Sequence, residues 1–105
     1  MANICENKFY IFAESEETIN EIEIRLQTLF KKHLSGEITY STSNILEGYF
    51  DSKWDFPMNY FEGFFKGIDD DTIYMRCLSE EYGVGIVSMN VYDDGNWWEP
   101  QYFNI

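Results

Sequence analysis

The longest periodic pattern in the chain is helical. Apolar side chains recur at three- and four-residue steps and share one face: Ile19, Ile22, Leu26, Leu29 and Phe30, with His33 continuing the same face. Ser15 is a suitable N-cap, and Lys31 and Lys32 complement the helix dipole at the other end. Gly36 follows as a stop signal. The pattern predicts one amphipathic helix between Ser15 and Gly36.

Short aromatic and β-branched stretches predict strands on either side of this helix. The predicted strands are residues 8–13, 37–42, 46–54, 72–79, 84–92 and 97–105, the last interrupted by Pro100. A second helix is predicted from Pro57 to Gly67, because Met58, Phe61, Phe64 and Phe65 have helical spacing. The order β-α-β-β-α-β predicts an α+β, ferredoxin-like split βαβ fold with two helices on one face of an antiparallel sheet and an extra C-terminal strand. No repeat or linker interrupts the pattern, so residues 1–105 are predicted to form a single domain.

The charge balance narrows the function. Asp and Glu number nineteen against seven Lys and Arg, for a formal net charge of −12. Such a surface disfavours direct binding to nucleic acid or to an anionic membrane, since both need cationic contacts. Without a run long enough to span a bilayer or a signal-like start, the chain is expected in the cytoplasm. Because aromatic residues make up 19% of the chain, it is expected to fold rather than remain disordered.

No motif predicts catalysis, a metal or a cofactor. Cys5 and Cys77 form no Cys-x-x-Cys pair and are expected to be reduced and mostly buried. His33, the single histidine, is expected to interact with the helix dipole rather than act as a general base. Side chains of the consecutive Asp69–Asp71 point in different directions, which favours a solvated turn over a calcium loop. An enzyme acting through a carboxylate pair is an alternative, but no pair stands out.

Acidic clusters and one aromatic pair are the candidate partner-binding residues. They are Glu16, Glu17, Glu21 and Glu23 on the first helix, Asp69, Asp70, Asp71, Asp93 and Asp94 in turns, and Trp97 and Trp98 near the last turn. Spread evenly, the carboxylates would be about threefold sparser than the charges on duplex DNA, so imitation of DNA requires clustering. In a strand, one of two adjacent tryptophans faces away from the core. That ring is either exposed or covered by a partner.

Two short motifs resemble a known family. The opening Met-Ala-Asn-Ile-Cys-Glu-Asn of residues 1–7 is similar to the Asn-Trp-Cys-x-Asn that precedes the first strand in the YubB-type ferredoxin-like family of phage and plasmid proteins, with Ile4 where that family usually has Trp. The stretch Phe-Asp-Ser-Lys-Trp of residues 50–54, followed by Pro57, resembles the family's strand that ends in an aromatic, a small hydroxyl residue and Trp. The resemblance implies a ferredoxin-like fold and a mobile-element origin. It implies no reaction and no site residue.

The preferred hypothesis is a small acidic binding protein encoded by a phage or plasmid. An acidic face would block the basic nucleic-acid-binding groove of a bacterial defence protein such as a CRISPR effector, as an anti-CRISPR-like inhibitor and possible DNA mimic. The alternative is a structural or homo-oligomeric accessory domain, in which the sheet edge and the tryptophan pair form a subunit contact, such as a homodimer. Salt separates the two, because an electrostatic interface weakens steeply with ionic strength and an apolar one does not.

Overall fold

Seven strands and two helices make up the structure, a computed structural model that describes residues 3–83 and 85–104. Met1 and Ala2 of the opening motif lie outside the described residues, as do Val84 and Ile105 of two predicted strands. The elements are β1 (Ile4–Phe12), α1 (Glu16–Lys32), β2 (Ser35–Ser41), β3 (Ile45–Lys53), α2 (Met58–Phe61), β4 (Tyr74–Glu81), β5 (Ile86–Asp93), β6 (Asn96–Trp97) and β7 (Gln101–Asn104). Among the described residues, neither helix has the length and apolar character needed to cross a membrane.

All the strands belong to one antiparallel sheet in the order β2-β3-β1-β4-β5-β6, and β7 also pairs with β5. β1 lies near the middle, and its residues Cys5, Asn7, Phe9 and Ile11 are buried in strict alternation. Because strand side chains alternate between faces, these four point to one side of the sheet. The predicted α+β class with an antiparallel sheet is confirmed. β1 also begins four residues earlier than predicted, because Asn7 interrupts the apolar pattern.

Both helices pack on this same face of the sheet through aromatic rings. The Phe9 ring centroid lies 6.1 Å from that of Phe30 on α1 and 6.0 Å from that of Phe50 on β3. Phe50 in turn stacks on Phe61 of α2 at 5.4 Å. Offset and tilted ring pairs at these distances add to the burial of apolar area. The core therefore lies between the sheet and the helices, with Phe50 at its centre.

The predicted first helix is present, with the predicted cap. The Ser15 hydroxyl accepts a hydrogen bond from the backbone N–H of Thr18 at 3.4 Å. The predicted inward residues Ile19, Ile22, Leu26 and Leu29 are buried. Phe30 is half-buried against the core. His33 is exposed and stacks on Tyr60 at 5.0 Å between ring centroids, so it does not continue the buried face.

The helix ends before Gly36, so Gly36 is not its stop signal. Gly36 lies in β2, where a Cβ would come 2.7 Å from the Cβ of Phe50 and 2.8 Å from the ring of Phe30. A residue without a side chain is needed there because the strand crosses directly over the aromatic core.

The second helix is much shorter than predicted. Only Met58–Phe61 is α-helical, and the chain then continues to Gly67 as turns with hydrogen bonds three residues apart, such as Lys66 N–H to Gly63 O at 3.1 Å. Phe61 and Phe65 are nevertheless buried, as their spacing predicts. Arg25 of α1 donates to the carbonyls of Phe64 and Lys66 at 2.7 and 2.8 Å. These bonds stabilise the turns from outside the segment.

Irregularities interrupt both edges of the sheet. The register between β2 and β3 shifts between Ile38 and Tyr40. At the other edge, Trp97 pairs with Tyr92 and Gln101 with Met89, so three residues, including Pro100, lie opposite two. This is a β-bulge, where an edge strand tolerates proline. The predicted last strand is therefore present in two parts, and its interruption lies at Pro100 as predicted.

We expect Leu26→Ala to lower the free energy of unfolding by about 2–5 kcal/mol, because Leu26 is fully buried between α1 and the sheet. Urea unfolding monitored by circular dichroism measures it. The matched control is Ile24→Ala on the same helix, where the side chain is 59% exposed and the expected change is within about 0.5 kcal/mol. Equal effects at the two positions would contradict the assigned buried face.

Candidate functional site: an acidic groove and a buried polar network

A wide groove runs between the first half of α1 and the turn before β4. Its volume is about 1050 Å³, and it is open to solvent. Six carboxylates line it, those of Glu14, Glu17, Glu21, Asp69, Asp70 and Asp71. Arg25 is the only cation among its described lining residues. Two acidic clusters that the sequence analysis treated separately therefore lie on one surface, called here the acidic groove.

Asp70 joins the two sides of the acidic groove. One carboxylate oxygen accepts the hydroxyl of Thr18 at 2.7 Å, and the other accepts the N–H and hydroxyl of Thr72 at 2.8 and 2.6 Å. These bonds, the one from Thr18 first, hold the pKa of Asp70 below its ordinary value. Asp69 and Asp71 are exposed on either side of it. The turn predicted for the triplet lies at Asp71 and Thr72, and the middle residue of the triplet is committed to the fold.

The acidic side chains of α1 divide between two directions. Glu17 and Glu21 line the acidic groove, and Glu21 forms an ion pair with Arg25 at 3.2 Å. Glu16 and Glu23 do not line it. Glu23 instead accepts a hydrogen bond from the hydroxyl of Ser41 on β2 at 3.0 Å. Only half of the predicted helical cluster can therefore contact a molecule in the groove.

The remaining predicted partner-binding residues lie outside the acidic groove. Asp93 is the last residue of β5, and Asp94 and Gly95, both at positive φ, form the turn to β6. Trp97 packs against the core and donates its indole N–H to the carbonyl of Phe61 at 2.9 Å. Trp98 is 51% exposed. Trp98 is therefore the member of the pair that presents its ring to solvent, as one of the two had to.

A buried polar network, which the sequence analysis missed, joins three strands. The Asn7 side chain is fully buried; its Nδ2 donates to the carbonyls of Cys5 and Phe50 and to the hydroxyl of Ser52 at 2.9–3.2 Å. Its Oδ1 accepts the hydroxyl of Ser79 at 2.6 Å. A signal was present in the sequence: Asn7 stands two residues before Phe9 and four before Ile11, so a strand through all three places its side chain on the buried face.

This network continues outward to Asp55, just after β3. Ser52 donates its hydroxyl to the carbonyl of Asp55 at 2.6 Å. The Asp55 carboxylate accepts the hydroxyls of Ser88 and Tyr102, each at 3.1 Å, and the N–H of Phe56 at 2.7 Å. Burial first, and then the negative charge of Asp55, raise the pKa of Tyr102. Asp55 therefore connects β5 and β7 to the end of β3.

A small cavity of about 80 Å³ lies where this network reaches the surface. Asp55, Glu81, Ser79, Ser88, Tyr102 and Trp54 are among its lining residues. Trp54 has φ = 72°, a left-handed conformation that is unusual for a bulky residue, and its side chain is 56% exposed. We call this cavity the Asp55 pocket.

The two cysteines are buried and free, as predicted. Burial raises the pKa of Cys5, which also lines the Asp55 pocket, to about 11. Burial likewise raises the pKa of Cys77. A thiol nucleophile must be deprotonated, so at neutral pH neither cysteine is activated for attack. Within residues 3–83 and 85–104, no group of three or more His, Cys, Asp or Glu side chains is arranged to hold a metal ion.

Comparisons with known proteins give no relative from which a function could be inferred: no family model matches the chain, and neither a curated protein nor a solved structure is significantly similar to it.

We expect Asp70→Asn to destabilise the protein at pH 7, because it replaces a charged acceptor of three hydrogen bonds with a neutral amide that accepts through one atom only. The folded-state pKa of Asp70 is lowered, so its carboxylate stabilises the fold above the ordinary Asp pKa of about 3.9. That stabilising contribution is lost as the pH falls through the pKa of Asp70 in the folded protein. The difference in unfolding free energy between the native chain and Asp70→Asn should therefore narrow below about pH 4. Denaturant unfolding at several pH values tests this, with the exposed Asp69→Asn as control.

Proposed function

We propose that the protein is a binding protein whose acidic groove holds a basic segment of a partner protein. The observation that supports this most strongly is the convergence of six carboxylates on one open groove, where the described lining residues include a single cation. Three of the carboxylates come from α1 and the loop just before it, and three from a turn some fifty residues later. Like charges brought close together destabilise a fold through repulsion, and a cationic partner relieves it. The exposed Ile24 also lines the groove and offers an apolar contact between the carboxylates.

The charge supports a protein rather than a nucleic acid as the partner. A phosphate backbone would meet repulsion from the groove, whereas Lys and Arg side chains would form charge-assisted hydrogen bonds with it. Surfaces rich in exposed Lys and Arg are typical of proteins that bind nucleic acids. The carboxylates of the acidic groove would then contact the Lys and Arg side chains that otherwise contact a nucleic-acid backbone. A bacterial defence protein as the target, and a phage or plasmid origin, stay predictions from the sequence.

We also propose that the fold is ferredoxin-like. In support, β1, α1, β2, β3, α2 and β4 follow the β-α-β-β-α-β order, and the strands lie as β2-β3-β1-β4. β5, β6 and β7 extend this sheet beyond β4. Membership of the YubB-type family would agree with this arrangement. The fold itself carries no activity, because ferredoxin-like domains host many unrelated functions.

The test exploits the division of acidic residues on α1. Glu17→Lys with Glu21→Lys reverses two charges in the acidic groove. Glu16→Lys with Glu23→Lys reverses two charges on the same helix outside it. Each double variant removes one first-turn carboxylate, worth about 0.3–1 kcal/mol with the helix dipole, and changes the net charge equally. The groove variant also loses the exposed Glu21–Arg25 ion pair, and the control variant loses the exposed Glu23–Ser41 hydrogen bond. Since both contacts are weak at the surface, the melting temperatures should be similar.

A partner is first captured from bacterial lysate on the immobilised protein, eluted with salt and purified. We expect the groove variant to bind it at least about tenfold more weakly, mainly through slower association, and the control variant to bind nearly as the native chain does. Affinity should fall steeply with ionic strength, and duplex DNA should compete for the partner. Equal losses in both variants would indicate only a net-charge effect. Release by Trp98→Ala, but by neither charge variant, would favour the apolar subunit-contact alternative.

A further inference from the structure

The Asp55 pocket lies at the opposite end of β1 from the acidic groove. Cys5, at the start of β1, lines the pocket, and Glu14, just beyond the end of β1, lines the groove. These positions are nine residues apart along a chain that is mostly extended, which corresponds to about 30 Å. A ligand the size of the pocket cannot reach the groove, so the two surfaces are separate sites.

The hydroxyl groups around the pocket have already used their hydrogens. Ser79 donates to Asn7, and Ser88 and Tyr102 both donate to Asp55. A hydroxyl has one hydrogen and two lone pairs, so each of these three keeps only acceptor capacity. The carboxylate of Asp55 already accepts three hydrogen bonds and that of Glu81 accepts the N–H of Gly83 at 2.7 Å, and both add negative charge to the wall when ionised. The side chains of the wall thus offer a ligand oxygen lone pairs and negative charge.

Two aromatic side chains border the same pocket. Trp54 and Tyr102 line it, and they are 56% and 57% exposed. The faces of such rings attract cations, Trp most strongly. The backbone at Trp54 is left-handed, with φ = 72°, a conformation that glycine adopts at lower cost. The position nevertheless carries a large indole. Acceptor groups inside and aromatic rings outside together suit a small cation that carries hydrogen-bond donors.

The size of the pocket limits that cation. Its volume of about 80 Å³ is several times the roughly 10–15 Å³ that one water molecule needs, so the pocket holds a small group of a few heavy atoms. An ammonium group with its attached methylene has two heavy atoms and fits this space.

We propose that the Asp55 pocket binds an alkylammonium group, with Asp55, Glu81 and the hydroxyls of Ser79 and Ser88 as acceptors and Trp54 and Tyr102 as its aromatic border. The group belongs to a lysine side chain of a protein or to a small free amine. This inference does not depend on the acidic groove.

Titration of the ¹⁵N-labelled protein, followed by two-dimensional NMR, tests the proposal. The probe is Nα-acetyl-lysine methylamide, and the control is Nα-acetyl-norleucine methylamide, which has the same carbon chain without the ammonium group. We expect a saturable shift of the Trp54 indole N–H and the Ser88 amide with the lysine compound only. A second titration with methylammonium chloride, with sodium chloride at equal ionic strength as its control, distinguishes a lysine side chain from a small free amine as the source of the ammonium group. Tighter binding of the lysine compound indicates a protein side chain, and equal binding indicates a free amine.

Two variants locate the binding. Asp55→Asn removes the central negative charge and should weaken binding at least about tenfold, since hydrogen bonds to charged groups are the strong ones. Trp54→Gly removes the indole and should weaken binding by about two- to fivefold, read at the Ser88 amide. The left-handed φ at this position favours glycine, so this variant should melt at the native temperature or higher. Asp69→Asn in the acidic groove should leave the affinity for the lysine compound unchanged.

The proposal is overturned if the lysine and norleucine compounds give the same shifts, or if neither gives a saturable shift. It is also overturned if a folded Trp54→Gly protein and a folded Asp55→Asn protein both bind the lysine compound with native affinity. If Asp69→Asn weakens binding of the lysine compound as much as Asp55→Asn does, the compound is attracted to the acidic protein in general. That result overturns the proposal as well. None of these results bears on capture of a basic partner by the acidic groove, which is tested with the α1 variants.

Discussion

The buried carboxamide of Asn7 is the constraint on which the arrangement of the sheet depends. A polar group without water must have its hydrogen bonds satisfied within the protein, and an unsatisfied one costs about 1–3 kcal/mol. Asn7 reaches acceptors on its own strand and on β3, and it accepts a hydroxyl from β4. A slip of β1 against either neighbour would break these bonds and turn Phe9 and Ile11 away from the core. The network therefore sets the register of the three central strands.

The same strands determine where the two candidate sites lie. The chain leaves β1 beside Thr72, whose hydroxyl accepts the N–H of Glu14 at 3.0 Å. Thr72 also donates to Asp70, which holds the N-terminal turn of α1 through Thr18. The acidic groove is thus positioned by short contacts between the end of β1 and the start of β4. At the other end of β1, the Asn7 network continues through Ser52 to Asp55 and the small pocket.

Local sequence patterns predicted a helix or strand well where the element buries one face and exposes the other. The period of α1 and its Ser15 cap predicted its start, and the alternation of strands predicted that one of Trp97 and Trp98 faces outward. Which one does so depends on the pairing with β5, in which Trp97 lies opposite Tyr92 and both pack against the core. The length of α2 was overestimated because Arg25 of another helix stabilises turns in its place. The groove requires contact between Thr18 and Asp70, fifty-two residues apart, and the network requires contact between Asn7 and Ser79, seventy-two apart. No local pattern carries such information.

The irregular edges of the sheet bear on how the protein behaves when it is abundant. A long, flat edge strand offers unpaired N–H and C=O groups on which strands of other molecules can add, the first step toward fibres. Here one edge changes register within β2, and the other is interrupted at Pro100, which has no N–H to offer. Repulsion between copies that each carry a net charge of −12 acts in the same direction. A wide sheet with aromatic side chains exposed near its edges is in this way protected from growing by edge-to-edge addition of further copies.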